Sequence, residues 1–299
     1  MAVDSQWGNT SLLLPLSANL LDVRGHTITA GGGIALSSAV GTPFGAGSAL
    51  YCDGTNDVLT STSSDFTLGT ADCSIQFWFY PLTGGHGAAW GRLLAIGTDG
   101  VNGSIYIITR SSEDPMNFRF EYYNSGYFQL IADVTAPVSN SAWHFFQLDR
   151  VSNVWSCYIN GSLHSTQTTS FNFTQTNLAI GANTAGAVAF KGYLFDVRVT
   201  KGAYRSSHAV PSEPFPRPTI SGVTRNSAGA LASKVVKAFK RSTAELAGSA
   251  VSNGTTGAYT LLPGDYTEHF VVEFDTATNP LVDGGSGENS LIYDRVIPG

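Results

Sequence analysis

Alternation with a period of two, broken at short intervals by turn residues, constrains this chain more than any other feature. In CSIQFWFY (73–80), Cys73, Ile75, Phe77 and Phe79 fall on one side of an extended backbone, with Ser74, Gln76, Trp78 and Tyr80 on the other. Both sides carry aromatics, which predicts a central strand with a second sheet or a groove covering its less apolar side. The stretch SAWHFFQLDRVSNVWSCYING (141–161) repeats the pattern. Ser152-Asn153 separates two alternating runs, and Asn160-Gly161 supplies the two positive-φ positions of a type I′ hairpin turn. Further runs cover 48–52, 58–62, 92–96, 104–109, 117–123, 127–133, 177–180 and 191–200, with turn signals between them. No segment of helical length shows a competing 3.6-residue period.

Composition agrees. Charged residues make up 13% of the chain and glycines number 33, a balance that suits many short strands and leaves little material for surface helices. The formal net charge of −6 gives no electrostatic basis for binding nucleic acid or an anionic membrane. The first residues, MAVDSQWGNTSLLLPLSAN, lack a basic region, and their short apolar run contains Pro15; they read as neither a secretory signal nor a membrane span. Cys52, Cys73 and Cys157 are odd in number and sit among apolar neighbours, so buried thiols are expected rather than a disulfide framework. No CxxC or Cys/His spacing suggests structural zinc.

Pro211, Pro214, Pro216 and Pro218 crowd into VPSEPFPRPT (210–219), which excludes a central strand and predicts an extended connector. The chain is therefore expected to be all-β, with a large two-sheet jelly roll at 1–215 and a small β-sandwich at 216–299. In the latter, Lys234, Lys237, Lys240 and Arg241 read as a solvated strand edge that discourages pairing.

Four stretches carry a family resemblance: YCDGTNDVLTSTSSDFTLGTADCSIQFWFYP, SAWHFFQLDRVSNVWSCYING, NLAIGAN and KGYLFDVRVTKGAYR. Together they resemble the laminin-G-like, concanavalin-A-like lectin/glucanase domains, in which the Trp-His pair marks a sheet strand and not a catalytic dyad. The version ending DVRVTKGAYR…PSEPFP resembles bacteriophage virion proteins. ISGVTRNSAGALASKVVKAFKRST and TTGAYTLLPGDY more faintly resemble carboxypeptidase-regulatory-like or Ig-like sandwiches. The resemblance implies a virion-surface location (alternatively extracellular), with other tail or capsid proteins as partners, host surface polysaccharide as a ligand, and a homo-oligomer, a trimer being favoured.

Catalytic chemistry is sought in vain. A glycosidase of this architecture needs two carboxylates flanking the scissile bond, and no Glu-x-Asp-x-x-Glu strand occurs; no Gly-x-Ser-x-Gly elbow is present either. Asp53-Gly-Thr-Asn-Asp57 and Asp99-Gly-Val-Asn102 offer the hard oxygens that Ca²⁺ takes, but both also read as turns, and no metal ligand is assigned. Aromatic loops are the remaining chemistry. EYYNSGYFQ (121–129) reads as a hairpin whose Tyr123 and Tyr127 stand on one side as a platform for a sugar face, and GGHGAAWGR (84–92) brings His86 and Trp90. These four are the candidate glycan-binding residues, and cross-strand packing or a protein contact is the competing reading of the tyrosines. The expected function is a non-enzymatic, tail-associated adhesin or fibre component. Alternatives are a capsid decoration protein, a secreted bacterial adhesin and a glycoside hydrolase.

Overall fold

The structure, a computed structural model, describes residues 4–83, 90–110, 116–225, 233–263, 267–274 and 292–298. The chain divides into two compact units, Gln6–Phe215 and Pro216–Gly299 with Met1–Ser5. In the larger unit the strands are β1 (Thr10–Leu14), β2 (Thr29–Gly31), β3 (Ala35–Ser37), β4 (Ala49–Asp53), β5 (Val58–Thr62), β6 (Cys73–Pro81) and β7 (Trp90–Ile96). They continue as β8 (Ile105–Arg110), β9 (Met116–Asn124), β10 (Tyr127–Val138), β11 (His144–Val151), β12 (Val154–Ile159), β13 (Ser162–Thr168), β14 (Asn177–Ile180) and β15 (Lys191–Lys201). A first sheet runs β13-β12-β11-β6-β15-β4-β3, with β1 added against β15. A second runs β10-β9-β8-β7-β14-β5-β2. The two make the all-β jelly-roll sandwich that the alternation predicts.

The inward half of each alternating strand fills the space between the sheets. Phe146 of the first sheet stacks on Phe120 of the second at 5.2 Å, and Phe79 meets Phe118 edge-on at 5.0 Å. Cys52, Cys73 and Cys157 are free and buried in this core. Burial pushes all three thiols up, that of Cys73 to about 12, so they act as small apolar fillers rather than nucleophiles.

The Trp-His and Asn-Gly ends of 141–161 turn out to be joined. Asn160 and Gly161 have φ of 50° and 79°, as a type I′ turn requires. The turn places the Asn160 side chain beside the start of β11, where its Oδ1 accepts from Phe145 N at 2.9 Å and its Nδ2 donates to His144 Nδ1 at 2.9 Å. His144 Nε2 lies 3.0 Å from the Ser139 carbonyl, which can only accept, so the proton sits on Nε2. Burial pushes the His144 pKa down, opposed by the bond to Ser139.

The outward face of the first sheet is polar at its centre and covered. Register sets Gln147 beside Gln76, Asp149 beside Ser74, and Arg198 on the other side of Gln76. Gln76 Nε2 donates to Gln147 Oε1 at 2.8 Å, Gln147 Nε2 to Asp149 Oδ2 at 2.8 Å, and Arg198 Nη2 to Gln76 Oε1 at 2.6 Å. Ser74 Oγ donates to Asp149. Burial raises the Asp149 pKa, and the bonds from Ser74, Gln147 and His208 pull it back.

A strap, residues 202–215, closes over this network after β15. The Arg205 carbonyl accepts from Gln147 at 2.8 Å, Arg205 N donates to Ser74 Oγ at 2.7 Å, and His208 lies 3.0 Å from Asp149 while stacking on Tyr158 at 3.7 Å. Phe215 ends the strap. Its ring covers the Arg198 guanidinium at 3.6 Å, and its N–H donates to Asp196 Oδ2 at 2.6 Å. Asp196 sits at a bulge of β15 with φ of 52°, a strained conformation that Asp tolerates better than most residues. The proline-dense stretch is thus not a free linker throughout, since Phe215 is 5% exposed.

The small unit holds β16 (Ile220–Val223), β17 (Val235–Lys240), β18 (Leu246–Val251), β19 (Ala258–Leu261), β20 (His269–Phe274) and β21 (Ile292–Val296). A β16-β19 pair and a β18-β17-β20-β21 sheet enclose Ile220, Val236, Ala238, Leu261 and Val271. The lysine cluster departs from expectation. β17 is interior to its sheet, and Lys234 is 7% exposed with Nζ 3.2 Å from Glu273 Oε1. The order of strands in the sheet, not the charge pattern, decides this: β18 and β20 flank β17, and Lys234, just ahead of it, is held against Glu273 of β20.

Two outcomes test the fold. Phe215→Ala should lower unfolding stability by about 3 kcal/mol in urea, because it uncovers Arg198 and leaves a cavity; a loss below about 1 kcal/mol would mean the strap is not structural. The depressed His144 pKa means that the native state binds fewer protons than the unfolded chain, so its contribution is present at neutral pH and lost as pH falls through the usual histidine range near ~6.5. Wild type should therefore lose more stability than His144→Gln on acidification, measured by urea unfolding at neutral and mildly acidic pH.

Candidate functional site

The strap closes the centre of the first sheet's outward face, and the outward face of the second sheet is buried at its middle as well, so exposed polar groups lie at its margin. Val58, Ala95, Tyr106, Ile108 and Ala179 line it, and Ala182 and Ala189 from the loop after β14 pack onto its middle. That loop is fixed by the bond from Arg92 N to the Val188 carbonyl at 2.8 Å. Tyr123, half-buried, packs at the margin of the same cluster.

Three loops meet at one end of this face and form a rim. Arg92 lays its guanidinium over the Tyr106 ring at 4.5 Å and donates from Nη2 to Asp99 Oδ1 at 3.2 Å. Tyr106 in turn donates its hydroxyl to the Thr98 carbonyl at 3.0 Å; burial raises its pKa, so the proton needed for that bond stays in place. Asn183 Nδ2 donates to the other oxygen of Asp99 at 2.9 Å, tying the loop after β7 to the loop after β14. The third loop is the β9-β10 turn. Asn102 Oδ1 accepts from Ser125 N at 2.7 Å, so the turn is docked on the same rim. Asp99, Val101 and Asn102 are exposed and Asn183 is half-buried. On the sheet behind, Glu121 pairs with Arg119 at 3.3 Å.

Sequence reasoning foresaw part of this. The 121–129 segment is a hairpin, with Ser125 and Gly126 at φ of 53° and 88° forming its two-residue turn. Its register corrects the expected platform, however. Tyr123 is paired with Phe128, and Tyr127 with Asn124. Paired positions share a face, so Tyr123 and Tyr127 occupy positions on opposite faces. Gly126 shows where Tyr123 lies: a Cβ at that glycine would sit 3.9 Å from the tyrosine hydroxyl, so the ring runs along the turn. Trp90 begins β7, its backbone paired with Arg110, while His86 lies outside the described residues. Asp99, Asn102 and Asn183 were not singled out as binding residues. Asp99 and Asn102 read as a turn, and nothing local in the sequence ties Asn183 to them.

The carboxylates of the two acidic turns are engaged within the protein. Asp99 spends one oxygen on Arg92 and one on Asn183, Asp57 accepts from Asp53 N at 2.8 Å, and Asp53 accepts from Thr55 N at 2.7 Å. Among the described residues no group of three His, Cys, Asp or Glu side chains could hold a metal ion. Carboxylates already bonded to guanidinium groups suit hydrogen bonding to a ligand better than proton transfer. The arrangement gathers hydrogen-bonding acceptors and amides at the margin of an aromatic-lined face, the kinds of group that binding sites use.

Residues 53–208 match the profile of the concanavalin A-like lectin/glucanases superfamily. No curated protein matches the chain in sequence. Among solved structures, domain 4 of AbnA, a GH43 extracellular arabinanase from Geobacillus stearothermophilus in complex with arabinotriose, is similar at 17% identity and a TM-score of 0.50. That match covers 67% of this chain and 96% of the other. The binding domain of botulinum neurotoxin DC, in complex with rat synaptotagmin II, is similar at 11% identity and a TM-score of 0.51, covering 92% of this chain and 68% of the other. At these identities the likeness is one of fold.

Asp99→Ala should free both Arg92 and Asn183 and loosen the rim. Because Asp99 is partly exposed, the expected cost is about 1 kcal/mol, with faster hydrogen exchange in 97–103 and 183–187. Unchanged exchange in both loops would show that Asp99 does not hold them together.

Proposed function

The chain belongs to the concanavalin A-like lectin/glucanases superfamily, and from that membership we propose that its larger unit is a non-catalytic sugar-binding domain working through the second-sheet rim. The observation that carries this reading is half-buried Tyr123 at the margin of the second sheet's outward cluster, in the hairpin whose turn Asn102 holds through Ser125, with Asp99 and Asn183 tied together on the neighbouring loops. Sugars present apolar C–H faces edged by hydroxyls. A tyrosine ring stacks on the first, and carboxylate and amide groups bond the second. The arabinotriose bound to a domain of the same fold supports the assignment of ligand class.

We assign the role, more finely, to a bacteriophage tail-associated adhesin at the virion surface, with other virion proteins and host surface polysaccharide as partners. The support is the closing motif DVRVTKGAYR…PSEPFP. Its physical content is the strap: Asp196 and Arg198 hold Phe215 at the end of the proline stretch.

Tyr123→Ala should weaken binding to a responsive oligosaccharide about tenfold, roughly 1.4 kcal/mol, in calorimetry or on a glycan array, whereas Tyr127→Ala should not. The protein should release no reducing sugar from the polysaccharide that it binds. Equal losses from the two tyrosine variants, or none from either, would remove the rim as the site. Turnover abolished by one Asp or Glu substitution would make the protein an enzyme. Normal cell binding by Tyr123→Ala with failed particle assembly would favour the capsid decoration reading.

A further inference from the structure

The small unit ends its four-stranded sheet on an edge that is unlike its opposite edge. β21 carries Asp294 and Arg295, charges of the kind that keep sheet edges from pairing. β18, LAGSAV, carries no charge and no proline over its whole length, and β17 is its partner strand on one side. Two of its side chains are large, apolar and open to solvent: Leu246 is 51% exposed and Val251 68% exposed.

These two flank an apolar sheet face. On β17 and β20, Phe239 and Phe270 stack at 5.1 Å, and Lys237 lies over the Phe274 ring at 5.2 Å, so its aliphatic stem adds to the face. Leu246 is paired with Phe239 and Val251 with Val235, which puts both at the rim of this surface.

We propose that β18 pairs antiparallel with β18 of a second copy of this chain, joining two small units about a two-fold axis into one continuous eight-stranded sheet. The strand is self-complementary in the register that keeps like faces together. Centred on Ser249, it sets Ser249 against Ser249 and Gly248 against Ala250. The bulge of β18 between Ala238 and Phe239 of β17 brings Leu246 to the same face as Val251. Val251 then meets the bulged pair Ala247-Leu246 of the other copy at both ends of the pairing. Edge pairing satisfies backbone groups that water otherwise solvates, while the two Leu246–Val251 contacts bury the exposed apolar pair. The symmetry is two-fold, in place of the three-fold expected from sequence resemblance.

The test is the molar mass of the full chain at micromolar concentration, by sedimentation or light scattering. Wild type is expected as two chains. Leu246→Lys with Val251→Lys places lysine against lysine at both ends and should give a single chain with an unchanged circular dichroism spectrum. Leu246→Lys with Val251→Glu places lysine against glutamate and should restore two chains. If the double lysine variant does not fold, Ser249→Arg, which sets arginine against arginine at the axis, should separate the copies instead. Wild type sedimenting as one chain or as three would overturn the proposal, as would a dimer that survives every like-charge variant.

Discussion

A buried carboxylate with its donors supplied from three directions governs the larger unit. Asp149 sits on the outward face of the first sheet, 1% exposed, and an ionised group there is tolerable only if its hydrogen bonds are made. Ser74 reaches it from the neighbouring strand, Gln147 from its own strand and His208 from the strap. Without the strap the network Asp149-Gln147-Gln76-Arg198 would open to water and the aromatic residues around it would lose their cover. Trp78, Phe145 and Phe195 are all buried on this outward face, against Phe44 and Phe215. The outward face of this sheet is therefore a second, polar-centred core.

That arrangement bears on which surfaces carry exposed polar groups. A sandwich has two outward sheet faces, and the strap occupies the middle of one. On the other, the loop after β14 packs over the centre, so polar side chains reach solvent at the margin, where Asp99 and Asn102 organise three loops. Arg92 contributes from below. It is 7% exposed, bonded to Asp99 through Nη2 and laid over the face of Tyr106, with its buried Nε left without a hydrogen-bond partner among the described residues, so its charge fixes the loop instead of facing a ligand. Rigid positioning of this kind limits the entropy that the loops themselves would lose on meeting a ligand.

Two copies joined through β18 would carry two such rims. Contacts between one sugar unit and one tyrosine are weak, and paired display raises apparent affinity by making the second contact intramolecular. The small unit would then act as the connector between rims rather than as a second binding domain.

The sequence by itself determined the elements. Period-two alternation in 73–80 and 144–159, with positive-φ residues at Ser152-Asn153 and Asn160-Gly161, sufficed because side-chain direction along a strand and hairpin twist are local properties. Strands without a one-sided apolar pattern escaped notice: β13 is polar throughout most of its length, and β1 is a continuous buried run. What only the tertiary structure decided was which residues meet across long separations. Register, not proximity in sequence, put Tyr123 and Tyr127 on opposite faces, brought Asn183 to Asp99, and folded Arg205 and His208 back onto β11. Lys234 shows the same limit, since a lysine pattern fits a solvated edge until neighbouring strands bury it against Glu273. Such contacts depend on how strands are ordered in a sheet and how loops pack over it, and no local pattern encodes that order.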